Sequence, residues 1–435
     1  MQTVYVGMSG GVDSSVSALL LKEQGYNVVG VYMKNWSKDL PGMKCPWAED
    51  LADAKRVAVK LGIPFEVWDF EDAYHKKVVE YMLREFKAGN TPNPDIMCNE
   101  EIKFKLFYEK AMAAGADFIA TGHYARVGFD STFSSAGLEN SGTSYAGPPA
   151  EPPASHANLS GSSGIYVPEF SNHFMLQKKQ NQIPLLMRAV DENKDQTYFL
   201  YRISDEALTH TIFPIGGMLK PEVKKLAAEH GLHNAYKKES MGVCFVGEVG
   251  MKDFLKEYID TEPGEIREIE SDRVLGYHEG AIFYTIGQRH GLYLDGEKGV
   301  VNDGLPYYVV KKDIAKNIVY VSKNLNDENL WVDTIKLNNI LLRQFEYNIS
   351  GDGVPRARRH GARTPHPSVV TCGSPRDMYS QLPQVTVRLR HRAPLIPATF
   401  EGTTLHFENK IKRPAAGQSA VLYDGEICIG GGIIV

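Results

Sequence analysis

Thr3-Val-Tyr-Val-Gly-Met-Ser-Gly-Gly-Val-Asp-Ser-Ser-Val-Ser-Ala-Leu-Leu-Leu-Lys22 is the stretch whose reading decides the fold. A β-rich run over 3–8 passes through a Ser/Gly loop into helical spacing over 14–22, closed by Gly25. The same alternation continues outward. Strands are predicted over 27–33, 64–70 and 117–121, and helices over 50–60, 74–87 and 101–114. Strands separated by helices predict an α/β domain with a parallel sheet covered on both faces. Ligands of such sheets gather at the carboxyl ends of the strands. After Pro263 the texture changes to short β-rich stretches (282–285, 307–310, 318–322, 385–389, 420–423 and 427–429) between Gly, Asp and Asn turns. That pattern predicts a small β-rich domain followed by a barrel or sandwich.

The chain has 435 residues, too many for one ordinary core. The expected division is a catalytic domain over 1–258, a small β-rich central domain over 259–325 and a C-terminal β-barrel over 326–435. Two insertions interrupt it. From 131 to 164, 23 of 34 residues are Ser, Gly, Pro or Ala, and no Lys or Arg occurs between Arg126 and Lys178. A segment over about 128–176 is therefore expected to be disordered, and its lack of positive charge argues against an RNA-binding tail. The second insertion, about 348–384, holds the Arg-rich run Val354-Pro-Arg-Ala-Arg-Arg-His-Gly-Ala-Arg363, read either as an irregular loop or as a basic RNA arm.

Forty-eight Lys and Arg against 53 Asp and Glu give a net charge of -5, so a polyanionic partner must be met by local basic patches. No apolar run approaches the roughly 20 residues that span a bilayer, which excludes an integral helical membrane protein. Five cysteines (Cys45, Cys98, Cys244, Cys372 and Cys428) are too few and odd for a disulfide-stapled secreted domain, and none has zinc-site spacing. With no cleavable signal or Arg-rich leader, the cytoplasm is the expected compartment; the mitochondrial matrix is the alternative if a leader is missing.

Ser9-Gly-Gly-Val-Asp-Ser14 lies between the first predicted strand and helix. Its glycines let the backbone aim several N–H groups at one point, and the helix N-terminus adds a positive end, which suits phosphate. It lacks the Gly-Lys-Ser/Thr of a Walker A loop. Thr91-Pro-Asn-Pro-Asp-Ile-Met-Cys-Asn-Glu-Glu-Ile-Lys-Phe104 puts Cys98 just ahead of a predicted helix, where a thiolate is stabilised. Glu239-Ser-Met-Gly-Val-Cys-Phe245 supplies a second thiol, Cys244, in a Gly-flanked loop. Either cysteine alone could equally be a buried small hydrophobe. Three further motifs are Thr121-Gly-His-Tyr-Ala-Arg126, Lys194-Asp-Gln-Thr-Tyr-Phe-Leu200 and Tyr284-Thr-Ile-Gly-Gln-Arg-His-Gly-Leu292.

The Ser9–Ser14 loop is similar to the signature of the PP-loop ATP pyrophosphatases, which cleave ATP between the α and β phosphates to adenylate a substrate. With the other motifs, in this order, the chain closely resembles the MnmA family of tRNA-specific 2-thiouridylases over 3–127, 185–342 and 385–435. The resemblance implies a Rossmann-like PP-loop domain and ATP-dependent transfer of sulfur to the wobble uridine of tRNA, giving 2-thiouridine, AMP and pyrophosphate. It implies an ATP site at Gly7, Met8, Ser9, Gly10, Gly11, Val12, Asp13, Ser14, Met33 and Gly122, with Mg²⁺ accompanying ATP. Asn93, Pro94 and Asp95 resemble the loop that touches the target base, with Asp95 a general acid/base. Cys98 corresponds to the nucleophile and Cys244 to the persulfide carrier, paired transiently in a Cys98–Cys244 disulfide. His123, Lys194, Asp195, Gln196, Arg388 and Gln418 resemble tRNA-contacting positions. Two departures stand out: Thr197 replaces the usual Ser, and Leu389 stands where an aromatic is frequent. Glutamate, lysine and glutamine tRNAs are the implied substrates, and a sulfur-relay protein or cysteine desulfurase is the implied donor.

The chemistry accounts for these parts. A uracil C2 oxygen leaves poorly, and transfer of AMP onto it makes it leave as AMP. A persulfide on Cys244 then delivers sulfur, directly or as hydrosulfide after Cys98 attacks the Cys244 sulfur, leaving a disulfide that a reductant reopens. An iron–sulfur cluster on Cys98, Cys244 and one further ligand is the alternative use of the thiols. Alternation along a strand would put Arg388, Arg390 and Arg392 on one face, a row suited to phosphates. Two competing functions are weighed. An amide or amidine ligase of the same superfamily would need no cysteine pair. A non-catalytic relative would not need both an intact loop and both cysteines.

Overall fold

The computed structural model describes residues 1–39, 45–130, 183–238, 250–294, 305–343, 346–349, 355–358 and 382–435. Cys244, Cys372, nearly all of the first insertion and much of the second lie outside these residues.

The opening stretch folds as its pattern predicts. β1 (Thr3–Gly7) leads into α1 (Val12–Glu23), and β2 (Asn27–Lys34), α2 (Trp47–Leu61), β3 (Phe65–Asp69) and β4 (Phe118–Thr121) follow. A short strand, Thr211–Ile212, completes a five-stranded parallel sheet in the order β3-β2-β1-β4 and then Thr211–Ile212. Both faces are covered. Val4, Val6, Val28 and Tyr32 pack with α1, α2 and the helix Lys220–Glu229, whereas Tyr5, Val29 and Val31 pack with the helical runs over 71–87 and 94–113. This is the two-residue alternation of a strand applied to a sheet that is apolar on both sides. The chain reverses its direction of winding between β1 and β4, so the ligand crevice opens where the loops after those two strands meet.

The second half divides into two sheets. Gly264–Glu268, Val274–His278, Tyr308–Asp313 and Ile318–Ser322 form a small mixed sheet around Ile266, Val309, Val319 and Val321. Trp331–Leu342, Thr404–Lys412, Ile396–Glu401, Leu382–Arg388, Ser419–Asp424 and Ile427–Ile434 pair in that order, and the last closes onto the first. The result is a six-stranded barrel filled by Leu337, Val387, Phe400, Leu405 and Leu422. Two strands from the first half, Arg126–Asp130 and Ile183–Met187, form a hairpin-like pair that joins the barrel sheet through Met187 opposite Ile427.

Three expectations fail. The stretch 282–285 is not a strand; Ala281–Phe283 is a single 3₁₀ turn entered through Gly280 at φ 152°. The helix expected from 101 begins at Pro94, because Asn93 accepts the Asp95 N–H at 3.1 Å and Pro94 supplies a first helical residue that needs no N–H partner. The arginine row does not form. Its strand stops at Arg388, and the chain turns through Arg390–Ala393 with Arg392 at φ 62°.

Candidate functional site

The loop after β1 is held from several sides. Gly10 has φ +77°, and a side chain there would overlap the Asp50 carbonyl oxygen, so only glycine fits without movement. Ser14 Oγ accepts the Ser9 N–H at 3.1 Å and donates to the Gly11 carbonyl at 3.1 Å. Gly11 makes no side-chain cap, so the first N–H groups of the 12-residue α1 face the loop without partners inside the helix. That is the cradle a phosphate needs. Met8 is buried against Gly30, and Met33 reaches Gly7. Gly122 follows β4 and lies so close that a Cβ would come within 2.6 Å of the Ser14 N. These motif positions thus converge on one crevice: Gly7–Ser14 from the end of β1 onward, Met33 from β2 and Gly122 after β4.

Tyr124 of the Thr121–Arg126 motif and two residues outside any motif, Lys220 and Asn234, complete the loop. Lys220 Nζ holds both Asp13 carboxylate oxygens at 2.7 Å, and Tyr124 donates its hydroxyl to Asp13 at 3.1 Å. Asn234 donates to the Gly10 carbonyl and to Ser15 Oγ, both at 2.9 Å. Lys220 and Asn234 are about 210 and 220 residues from the loop, so no local spacing could announce them. The only cue is a Lys-Pro pair opening an apolar-periodic helix, a pattern with ordinary structural uses.

The helical run 94–113 carries the second set. Cys98 is buried at 4% exposure inside it, one turn past its start rather than ahead of it. Residues Cys98–Phe107 are wound as a π-helix, a form that recurs at functional sites. The wider winding places Lys103 two turns below Asp95, and its ammonium acts on both Asp95 and His123. Burial pushes the Asp95 carboxyl above the usual carboxylate range, with Lys103 opposing. Burial also drives His123 well below its ordinary value, with Lys103 adding to the effect, so the imidazole is neutral. His123 Nδ1 lies 2.8 Å from Thr121 Oγ1, its Nε2 3.5 Å from Lys103 Nζ, and Phe104 and Phe213 flank the ring. Ser14, Gly122, His123 and Lys103 are thus linked by successive close approaches, and Lys103 acts electrostatically on Asp95, one turn before Cys98. Asn93 and Pro94 open that turn.

The remaining positions sit at the seam with the barrel. Asp195 is 1% exposed and accepts from Thr197, the Ala189 N–H and Arg388 Nη1, the last at 2.6 Å. Arg388 is 5% exposed and also lies over the Tyr423 ring. Both are internal ion-pair partners, so Arg388 does not present its guanidinium to solvent as the strand reading expected. Gln196 accepts the Tyr124 N–H at 2.8 Å, and Lys194 is partly exposed beside it. Gln418 donates to the Thr91 carbonyl at 2.8 Å. Among the described residues no group of three His, Cys, Asp or Glu side chains could hold a metal ion, and no helix is long and apolar enough to cross a membrane.

Three family models match in succession: a tRNA methyl transferase HUP domain over 2–143 and 163–248, a tRNA methyl transferase PRC-barrel domain over 252–323, and an aminomethyltransferase beta-barrel domain over 369–434. A tRNA-specific 2-thiouridylase MnmA of Listeria monocytogenes is 39% identical over 432 residues, spanning 99% of this chain and 94% of that one. The protein of the same name from Pediococcus pentosaceus is 38% identical over 437 residues, with the same coverage. That from Lysinibacillus sphaericus is 37% identical over 439 residues, covering 99% and 93%. Among solved structures, a predicted subunit of tRNA methyltransferase from Methanocaldococcus jannaschii is 20% identical over 28% of this chain and 53% of that one, with a TM-score of 0.21.

Proposed function

From the premise that the chain belongs to the MnmA family of tRNA-specific 2-thiouridylases, we propose that it forms 2-thiouridine at the wobble position of tRNA by adenylating the uracil C2 oxygen and replacing it with sulfur. The observation that carries this reading is the run of close approaches from the Ser9–Ser14 loop through Gly122 and His123 to Lys103, which acts on Asp95 in the helical run that carries Cys98. A reaction needing both ATP and a thiol at one uracil ring needs those two places side by side.

In this reading the loop N–H groups and the α1 N-terminus hold the ATP phosphates, and Lys220 fixes Asp13 at the rim. Magnesium would travel with the ATP phosphates. Asp95, raised by burial, exchanges a proton with the target base, and Asn93 and Pro94 shape the pocket around it. Cys244 carries the persulfide. Cys98 attacks the Cys244 sulfur of the persulfide and expels hydrosulfide, which displaces AMP at C2, and the Cys98–Cys244 disulfide left behind is reopened by an external thiol. His123, Lys194 and Gln196 are the proposed tRNA contacts. The substrates are glutamate, lysine and glutamine tRNAs, the sulfur comes from a relay protein or cysteine desulfurase, and the work is done in the cytoplasm.

Purified protein with ATP-Mg²⁺, a persulfide donor and an unmodified glutamate tRNA transcript tests this, with nucleosides read by mass spectrometry. The reading expects 2-thiouridine that disappears with Cys244→Ser and with Cys98→Ser. Thiolation that survives both substitutions would end it.

A further inference from the structure

A short turn far along the chain grips the Ser9–Ser14 loop and the start of α2 at once. Its backbone closes on itself: the Ala235 N–H donates to the Leu232 carbonyl at 3.1 Å, and the Lys237 N–H to the Asn234 carbonyl at 3.0 Å. Asn234 is 2% exposed, and its side-chain amide donates to the Gly10 carbonyl and to Ser15 Oγ, each at 2.9 Å. The two hydrogens an amide carries are thus both used. Its Oδ1 is buried and has no partner among the described residues, so the side chain holds its surroundings through those hydrogens. Three residues on, Lys237 Nζ donates to Asp50 Oδ1 at 2.8 Å and to Asp53 Oδ2 at 2.6 Å, and His233 Nε2 lies 3.0 Å from Asp53 Oδ1. Asp50 and Asp53 belong to the first turns of α2, and the Asp50 carbonyl is the group that leaves no room for a side chain at Gly10. Gly10 is therefore held by Asn234 through its carbonyl and hemmed by Asp50 at its Cα, and one turn fixes both.

A trans peptide is planar, so its N–H points away from its C=O. Holding the Gly10 carbonyl therefore sets the direction of the Gly11 N–H, which meets Ser9 Oγ at 3.4 Å. Ser15 Oγ, the second atom that Asn234 holds, donates to the Gly11 carbonyl at 2.9 Å and so sets the N–H of Val12, the first residue of α1. We propose that Asn234 is a positioning residue for the ATP phosphates, aiming the Gly11 and Val12 N–H groups through Gly10 and Ser15. Sealed from solvent, it acts on the nucleotide through the loop. The inference rests on the reading of the Ser9–Ser14 loop as the phosphate cradle.

The test uses the full chain with Asn234→Ala and Asn234→Ser. Two quantities are read: backbone amide exchange over 8–17 without nucleotide, by mass spectrometry, and the dissociation constants of ATP and of adenosine, by calorimetric titration. In Asn234→Ala, exchange is expected to be at least about 10-fold faster and the ATP constant about 10-fold higher, with that of adenosine within about 2-fold, the scale of one or two lost hydrogen bonds acting on the phosphates alone. Asn234→Ser keeps one hydroxyl donor, shifts the same quantities in the same direction by no more than the alanine variant, and decides the matter by the same readings should the alanine chain fail to fold. A native protein that binds no ATP would end the proposed function and still leave exchange to decide whether Asn234 holds the loop. Unchanged exchange over 8–17, or ATP and adenosine affinities that fall by the same factor, would overturn the inference.

Discussion

At Asp95 the structure sets reactivity against stability. Its folded-state pKa is raised by burial, so the carboxylate is penalised near neutral pH and relieved as pH falls through the folded pKa. Asp95→Asn is therefore expected to unfold at an equal or higher Tm while slowing thiolation by about 10²- to 10⁴-fold, the usual span for a general acid/base. A calorimetric scan beside a single-turnover assay checks both. His123 has the opposite sign. Its folded pKa lies below 6.5, so the unfolded chain takes up a proton that the folded chain refuses, and stability is lost as pH falls through that value. Urea unfolding at about pH 5 and about pH 7.5 should show a smaller acid loss in His123→Asn than in the native protein. Asp95, Cys98 and His123 were legible as motif members because their neighbours in sequence are also their neighbours in space. Their burial was not legible, since Lys103, Phe104 and Phe213 reach His123 only through the packed fold.

Among elements, the β1–α1 loop shows how little freedom the cradle has. Gly10→Ala would force φ +77° on a residue with a Cβ and drive that Cβ into Asp50, at the start of α2. A loss of at least about 1–3 kcal/mol is expected, together with weaker ATP binding, measurable by chemical unfolding and by nucleotide titration. The parallel sheet could be anticipated because apolar strands alternate with amphipathic helices, whereas its strand order is set by which crossovers pack on which face and is seen only in the structure. The start of the Cys98 helix was misplaced for a definite reason. Helical periodicity is weak over 94–100, and the signal lay instead in Asn93 followed by Pro94, a cap and first residue that the two prolines disguised as a turn. The 3₁₀ turn at Ala281–Phe283 has a strand-like composition, and Gly280 at φ 152° overrides it.

Across the whole molecule, the barrel is docked by a buried polar seam. Asp195 pairs with Arg388, Thr197 meets Tyr423 at 3.1 Å, Tyr201 meets Ser419 at 3.1 Å, and Arg202 donates to the Asn339 carbonyl at 2.9 Å. Arg388→Met leaves Arg188, 3.8 Å away, as the cation beside Asp195 and should cost about 3–5 kcal/mol, as breaking a buried ion pair does; its Tm should fall well below that of the native protein. This seam was not readable beforehand, because Asp195 and Arg388 are separated by most of the second half of the chain and each looks like an exposed charge. The same holds for the strands Arg126–Asp130 and Ile183–Met187, whose partner in the barrel lies some 240 residues on. The seam holds the barrel onto the half of the chain that carries the β1–α1 loop and the Cys98 helix, the two parts that coupled adenylation and sulfur transfer would use. The most direct measurement on that claim is the stoichiometry of nucleotide products against 2-thiouridine in a single turnover with tRNA and a persulfide donor. The account predicts AMP and 2-thiouridine in equal amounts with no ADP; thiolation without ATP, or accompanied by ADP in place of AMP, would contradict it.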